Sequence, residues 1–233
     1  MSDVWDRLRG RFVVIDGPEG SGKGTQLERL EALLRETGQA VVRAKDPGGT
    51  AIGDRIRHVL LGYDLSEMDV RCETLLFMAS RAQLVAEVVT PALAAGQTVL
   101  CDRFISATCA YQGAAGFAIE EVIALGHHAV GDVWPTLTIV LDVPAEVGFE
   151  RIGRRPHHAG RNRRSQADQA ASLFDDAEID AMEARPLEFH RRVRQIFLKL
   201  GPAYPRPVIV VDGTGSPDQT FERMTEAIRV ADF

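Results

Sequence analysis

Gly17, Gly22 and Lys23, set in the run from Phe12 to Gln26 (FVVIDGPEGSGKGTQ), have the spacing of a loop that binds a polyphosphate. Glycines at Gly17, Gly20, Gly22 and Gly24, with Ser21 and Thr25 among them, let successive backbone N–H groups turn inward onto phosphate oxygens. Lys23 adds a mobile point charge for the outer phosphates. The pattern departs at one position. Directly after the lysine, where a Ser or Thr hydroxyl would reach Mg²⁺, stands Gly24, and Thr25 comes one residue late.

A second chemical pair is Asp102-Arg103. The aspartate suits the orientation of metal-bound water near phosphates, and the planar arginine fork suits the bridging of phosphoryl oxygens. Just downstream, Ser106, Thr108, Tyr111, Gln112 and Gly113 form a polar and aromatic stretch unlike an ordinary helix start. Further on, Arg151, Arg154, Arg155, Arg161, Arg163 and Arg164 crowd one segment, broken by His157, His158 and Gly160. Two readings fit that cluster: a solvated basic loop, or a mobile lid over about residues 151–176 that closes arginines on a transferring phosphate. The phosphate loop in the same chain favours the lid. Adjacent histidines are poor geometry for one metal ion, and no ligand set with zinc spacing exists, so no metal site built by the protein alone is expected.

These residues need a scaffold. The apolar run Phe12–Ile15 predicts a strand, and Leu27, Leu30, Leu33 and Leu34 predict the helix after the loop, closed by Gly38. Ala40–Val42 reads as a second strand, completing a βαβ unit and predicting a parallel sheet. The loop from Lys45 to Thr50 (KDPGGT) then falls beside the phosphate loop, because ligands in such sheets lie beyond the carboxyl ends of the strands. Ile52, Ile56, Val59 and Leu60 predict an amphipathic helix with one apolar face, and residues 68–95 one or two helices with a kink or break at Pro91. Thr98–Asp102, Leu137–Val143 and Val208–Asp212 supply three more strands, and Pro144 opens the helix after the fourth.

Composition narrows the class. A chain of 233 residues, 45% hydrophobic and 26% charged, suits one globular domain over 1–233. The net charge of -6 argues against a general nucleic-acid or membrane-surface binder. No stretch approaches the ~20 apolar residues of a membrane span, and a cytoplasmic location is expected. Cys72, Cys101 and Cys109 lack CxxC spacing and read as reduced, core or near-core thiols.

Taken together, GPEGSGKGTQ from Gly17, DPGGT from Asp46, LLFMASRAQLV from Leu75, DRFISATCAYQG from Asp102, IVLDVPAEVG from Ile139 and EFHRRVRQIFLKL near the end resemble thymidylate kinase, a nucleoside monophosphate kinase. The resemblance covers nearly the whole chain. It implies a P-loop α/β fold with five parallel strands flanked by helices on both faces, a homodimer, and transfer of the γ-phosphoryl group of MgATP to dTMP. By the same resemblance Phe77 stacks on thymine, Arg81 and Gln112 bond the base edge, and Tyr111 disfavours a ribose 2′-OH. Glu19 approaches the sugar 3′-OH, Pro47 walls the pocket, Ser106 and Thr108 line it, and Arg103 holds the acceptor phosphate. The catalytic set is then Lys23, Arg103, Glu19 and a lid arginine, Arg155, with Mg²⁺ carried by the nucleotide and Thr25 or Asp102 in its outer shell. Three departures stand out: Gly24, the pair Lys45-Asp46, and Asp180-Ala181-Met182-Glu183, where the family places an arginine at Ala181. They leave two alternatives: a kinase for another deoxynucleotide, or a non-catalytic nucleotide-binding relative.

Overall fold

The computed structural model describes residues 2–62, 68–153 and 185–233. Five strands, β1 (Phe12–Asp16), β2 (Val41–Lys45), β3 (Thr98–Asp102), β4 (Leu137–Asp142) and β5 (Val208–Asp212), form one parallel sheet in the order β2-β3-β1-β4-β5. Every residue of β1 is buried, as a central strand covered on both faces requires. Its side chains alternate between two cores. Phe12 and Val14 join Val99, Cys101, Leu84, Val85, Cys109 and Val122 on one face. Val13 and Ile15 join Leu27, Leu30, Leu34, Leu100, Met224 and Ile228 on the other.

The helices are α1 (Ser2–Asp6), α2 (Lys23–Glu36), α3 (Ala51–Gly62), α4 (Val70–Leu84), α5 (Thr90–Ala94), α6 (Ile105–Ala114), α7 (Ile119–Val130), α8 (Ala145–Arg151), α9 (Leu187–Lys199) and α10 (Pro217–Val230). A π-helical turn, Val85–Val89, joins α4 to α5. Pro91 therefore does not break the chain path. The widened turn absorbs the carbonyl clash and lost N–H of a proline, which sits in the first turn of α5 where no donor is needed.

Two expectations need correction. The polar stretch from Ser106 to Gly113 is regular helix, nearly all of α6. On α3, Leu60 is buried, but Ile52 and Val59 are exposed, so their apolar spacing does not mark a face turned into this chain's core. A third, smaller cluster of Leu60, Phe77, Tyr111, Phe189, Val193 and Phe197 ties α3, α4, α6 and α9 together. Most of the arginine segment, including Arg155, Arg161, Arg163 and Arg164, and the tetrad at 180–183 lie outside the described residues.

One backbone approach fixes the phosphate loop against α8. A Cβ on Gly20 would stand 2.2 Å from the Gly148 carbonyl oxygen, and one on Gly148 would stand 2.2 Å from the Glu19 carbonyl oxygen. No side chain fits between loop and α8. Gly148→Ala is expected to destabilise the protein by about 1–3 kcal/mol, the usual cost of overpacking, read as a lower urea midpoint; an unchanged midpoint would show that the loop yields freely.

Candidate active site

The phosphate loop begins where β1 ends. Gly17 and Gly20 have φ of 141° and 67°, and Gly22 caps α2 in the left-handed region with φ 88°. No side chain caps α2 and no acid lies in its first turn, so its N-terminal N–H groups and positive dipole end stay available to an anion. A Cβ on Gly24 would meet nothing within 4 Å. The absent hydroxyl at that position therefore has no steric cause.

Lys23 is buried, and its Nζ donates to the carbonyls of Gly17 (3.1 Å) and Pro18 (2.9 Å) and to Ser21 Oγ (3.4 Å). These are neutral partners. Burial, reinforced by the nearby Arg103 guanidinium, lowers its pKa to about 7 against the partial opposition of Asp102, Asp16 and Glu19.

Beside this loop opens a cavity built from five segments, one of them α3 through Arg57 and Leu61. Glu19 comes from the phosphate loop, Lys45 ends β2, and Asp46 and Pro47 follow it. Phe77 and Arg81 come from α4, and Asp102, Arg103, Ala107, Thr108, Tyr111 and Gln112 from the end of β3 and from α6. Helical spacing explains the selection. Phe77 and Arg81 are i, i+4 partners, as are Ala107 with Tyr111 and Thr108 with Gln112, so each pair shares a helix face. Ser106 lies on a different face with Ala110, fully buried, and does not line the cavity. Its Oγ donates instead to Asp16 Oδ2 at 2.6 Å, which corrects its expected place among the pocket residues.

Arg81 is 1% exposed and donates through Nε (2.7 Å) and Nη2 (2.5 Å) to Asp46 Oδ2, with Nη2 also reaching Thr108 Oγ1 at 3.1 Å. Burial raises the Asp46 pKa and the Arg81 charge opposes it; paired with arginine, the carboxylate is the form that fits. Asp46 Oδ1 and Gln112 Nε2 are buried without a hydrogen-bond partner. Both belong to residues lining the cavity, so a ligand acceptor and donor have protein groups waiting for them.

Arg103 is the one described non-glycine residue with positive φ, at 66°. That backbone is strained, and it is held by N–H donation to Ile15 O at 3.1 Å. Its Nη1 stands 3.4 Å from Gly17 O and 3.6 Å from Asp16 Oδ1, and its guanidinium lies 5.2 Å above the Tyr111 ring. Two more cations stand at the site: Arg57, absent from the expected set, and Arg151, expected only as part of the arginine segment. Arg57 lines the cavity and donates to Pro47 O at 3.0 Å, and its signal is its place on α3, just after the KDPGGT loop. Arg151 closes α8 and reaches Gly20 O, Gly213 O and Gly215 O, joining the phosphate loop to the turn after β5. Arg185 is engaged by Glu73 and lies 4.6 Å from the Phe189 ring centroid.

For a metal, no cluster of three or more His, Cys, Asp or Glu side chains exists among the described residues. Asp102 Oδ1, however, is a buried carboxylate oxygen without a partner at the end of β3, and Thr25 is exposed on the first turn of α2. This donor set fits the outer shell of a hydrated cation that arrives with a nucleotide.

A family model described as thymidylate kinase matches residues 15–224. Among curated relatives, the thymidylate kinase of Deinococcus radiodurans is 41% identical over 94% of this chain and 97% of its own length. That of a Geobacillus species is 35% identical over 95% and 97%. The crystal structure of thymidylate kinase from Ehrlichia chaffeensis is similar with a TM-score of 0.67 at 24% identity, covering 93% of this chain and 97% of that one.

The depressed Lys23 pKa generates a prediction with a definite sign. Above about pH 7 Lys23 is largely neutral in the free protein, whereas a solvated lysine loses its proton only near 10.5. A bound polyphosphate raises that pKa again, so ATP binding at pH 8 is expected to take up close to one proton. Calorimetry in two buffers of different ionisation enthalpy measures this, and Lys23→Met should abolish the uptake. Absence of uptake in the unaltered protein would mean that Lys23 stays charged throughout.

Proposed function

The chain belongs to the thymidylate kinase family, and on that premise we propose how its residues divide the work of phosphoryl transfer. It is an ATP:dTMP phosphotransferase, giving dTDP and ADP. The observation that carries the division of roles is the convergence of Phe77, Arg81 and Gln112 in one cavity whose other wall, Arg103, touches the phosphate loop.

The donor phosphates lie on the N–H groups of the loop beyond Pro18 and of the first turn of α2, with Lys23 at the outer end. The thymine stacks on Phe77 and takes hydrogen bonds from Arg81 and Gln112; the unpartnered Gln112 Nε2 suits a base carbonyl. A site whose buried polar groups need partners rejects a base lacking them. Pro47 and Thr108 wall the pocket, Tyr111 packs by the sugar, and Glu19 faces its 3′-OH. Arg103, with Arg57 and Lys45 nearby, takes the acceptor phosphate. A phosphate monoester is already ionised near neutrality, so no side-chain base is required. The protein aligns the two phosphates, excludes water and neutralises charge.

Mg²⁺ bound to the nucleotide would supply further charge neutralisation, with Asp102 and Thr25 holding its water shell. Arg155, outside the described residues, is assigned the lid arginine's role. A homodimer is proposed from the exposed apolar Ile52 and Val59 on α3 and Leu75 on α4, two helices that pack together. A cytoplasmic site of action without nucleic-acid partners accords with the net charge of -6 and with the lack, among described residues, of any helix long and apolar enough to cross a membrane.

ADP release from MgATP, measured against a panel of monophosphates, tests the assignment: dTMP is expected to be turned over in clear preference to dUMP and dGMP, and robust turnover of dGMP without dTMP would overturn it. Phe77→Ala is expected to raise KM for dTMP about tenfold, within the ~1–3 kcal/mol of a base stacked on an aromatic face, with kcat less affected. An unchanged KM would place the base elsewhere.

A further inference from the structure

Asp16, the last residue of β1, is fully buried, and its carboxylate joins three parts of the site. Oδ1 accepts from the Gly17 N–H at 2.8 Å, the first donor of the phosphate loop, and stands 3.6 Å from Arg103 Nη1. Oδ2 accepts from Ser106 Oγ at 2.6 Å. None of the residues lining the cavity is Asp16 or Ser106, so neither faces the acceptor. Burial favours the neutral acid at Asp16, while Arg103, Ser106 and Lys23 favour the carboxylate. Ser106 contributes through a short hydrogen bond from a hydroxyl that is itself fully buried.

Arg103 needs such a support. Its backbone is held in the left-handed region, and its side chain has no carboxylate in close bidentate contact: Asp16 stands at 3.6 Å, and a carbonyl, the ring and hydroxyl of Tyr111 and the Asp102 charge complete its surroundings. A guanidinium that must stand in line with a transferring phosphoryl group loses rate when displaced by a fraction of an ångström. We propose that Ser106 is a positioning residue for phosphoryl transfer: by fixing the Asp16 carboxylate it holds Arg103 against the end of the phosphate loop, while touching neither substrate. Sequence spacing brings this about, since the first turn of α6 puts Ser106 on the face opposite the lining pair Thr108 and Gln112, turned back toward the end of β1.

The inference rests on the role given to Arg103 in the preceding subsection, which the acceptor panel and Arg103→Ala test with Ser106 intact. Ser106→Ala is expected to lower kcat about tenfold, the scale of one lost hydrogen bond to a charged group, while KM for dTMP and for ATP moves less than about threefold, since ground-state binding is kept. Ser106→Cys keeps the volume with a weaker donor and should fall between Ser106→Ala and the unaltered protein. In an Asp16→Asn background the same two substitutions should cost much less, because the charge they serve is gone. A role in packing alone would give equal losses in both backgrounds and would lower the thermal midpoint in proportion. Equal losses, or a loss carried by KM with kcat unchanged, overturns the proposal. Where the Asp16→Asn protein is too slow to assay, the split between kcat and KM decides on its own.

Discussion

Cations held out of water at the carboxyl edge of the sheet must be balanced there, and the placing of carboxylates around Lys23, Arg81 and Arg103 governs what each can do. Arg81 is matched fully by Asp46, at 2.5 and 2.7 Å, in a pair that is 1% exposed on both sides. Arg103 is matched partly, by an Asp16 carboxylate 3.6 Å away that also serves Gly17 and Ser106. Lys23 has carbonyls and a hydroxyl as its hydrogen-bond partners, and burial together with the nearby Arg103 charge weakens its hold on its proton. The fold supplies this gradient by ending β1, β2 and β3 in the same crevice.

Much of this was legible in the sequence because it follows from local rules. Five apolar runs of strand length, each ended by a turn or an acid, specify the sheet, and Gly17, Gly20, Gly22 and Lys23 specify the loop. The resemblance to thymidylate kinase supplied the cavity residues Phe77, Arg81, Tyr111 and Gln112. What escaped depends on contacts distant in sequence. The mutual exclusion of side chains between Gly20 and Gly148 joins positions that carry no shared pattern. Ser106 was grouped with Thr108 because both are polar and close in sequence, yet two steps of about 100° each around a helix separate a pocket residue from a buried support. Ile52 and Val59 carry helical spacing but have no core to face among the described residues.

The departures from the family's pattern also have a physical reading. Space is open at Gly24, so no steric limit accounts for the missing hydroxyl, and Asp102 Oδ1 at the end of β3 is an unpartnered oxygen on the same edge of the sheet. Asp46, one methylene shorter than a glutamate, is compatible with a buried arginine because α4 brings Arg81 to it. Ser80 on the same helix accepts from the Gly48 N–H at 3.1 Å and so fastens the β2 loop to α4.

Two of the pocket arginines, Arg81 and Arg103, then have separable uses. Arg81 carries no net charge to spare, since Asp46 neutralises it, and its Nη1 reaches only the Met78 sulfur, a weak acceptor. What remains at that nitrogen is a directional donor, suited to the edge of an uncharged base. Arg103 retains more of its positive potential because its carboxylate is farther away and shared. That potential lies beside Gly17, where donor and acceptor phosphates must meet, and a charge left partly uncompensated there is the one a dianionic acceptor can use. On the proposed division of roles, base recognition and phosphate recognition draw on the same residue type, separated by about an ångström in the distance to a partner carboxylate.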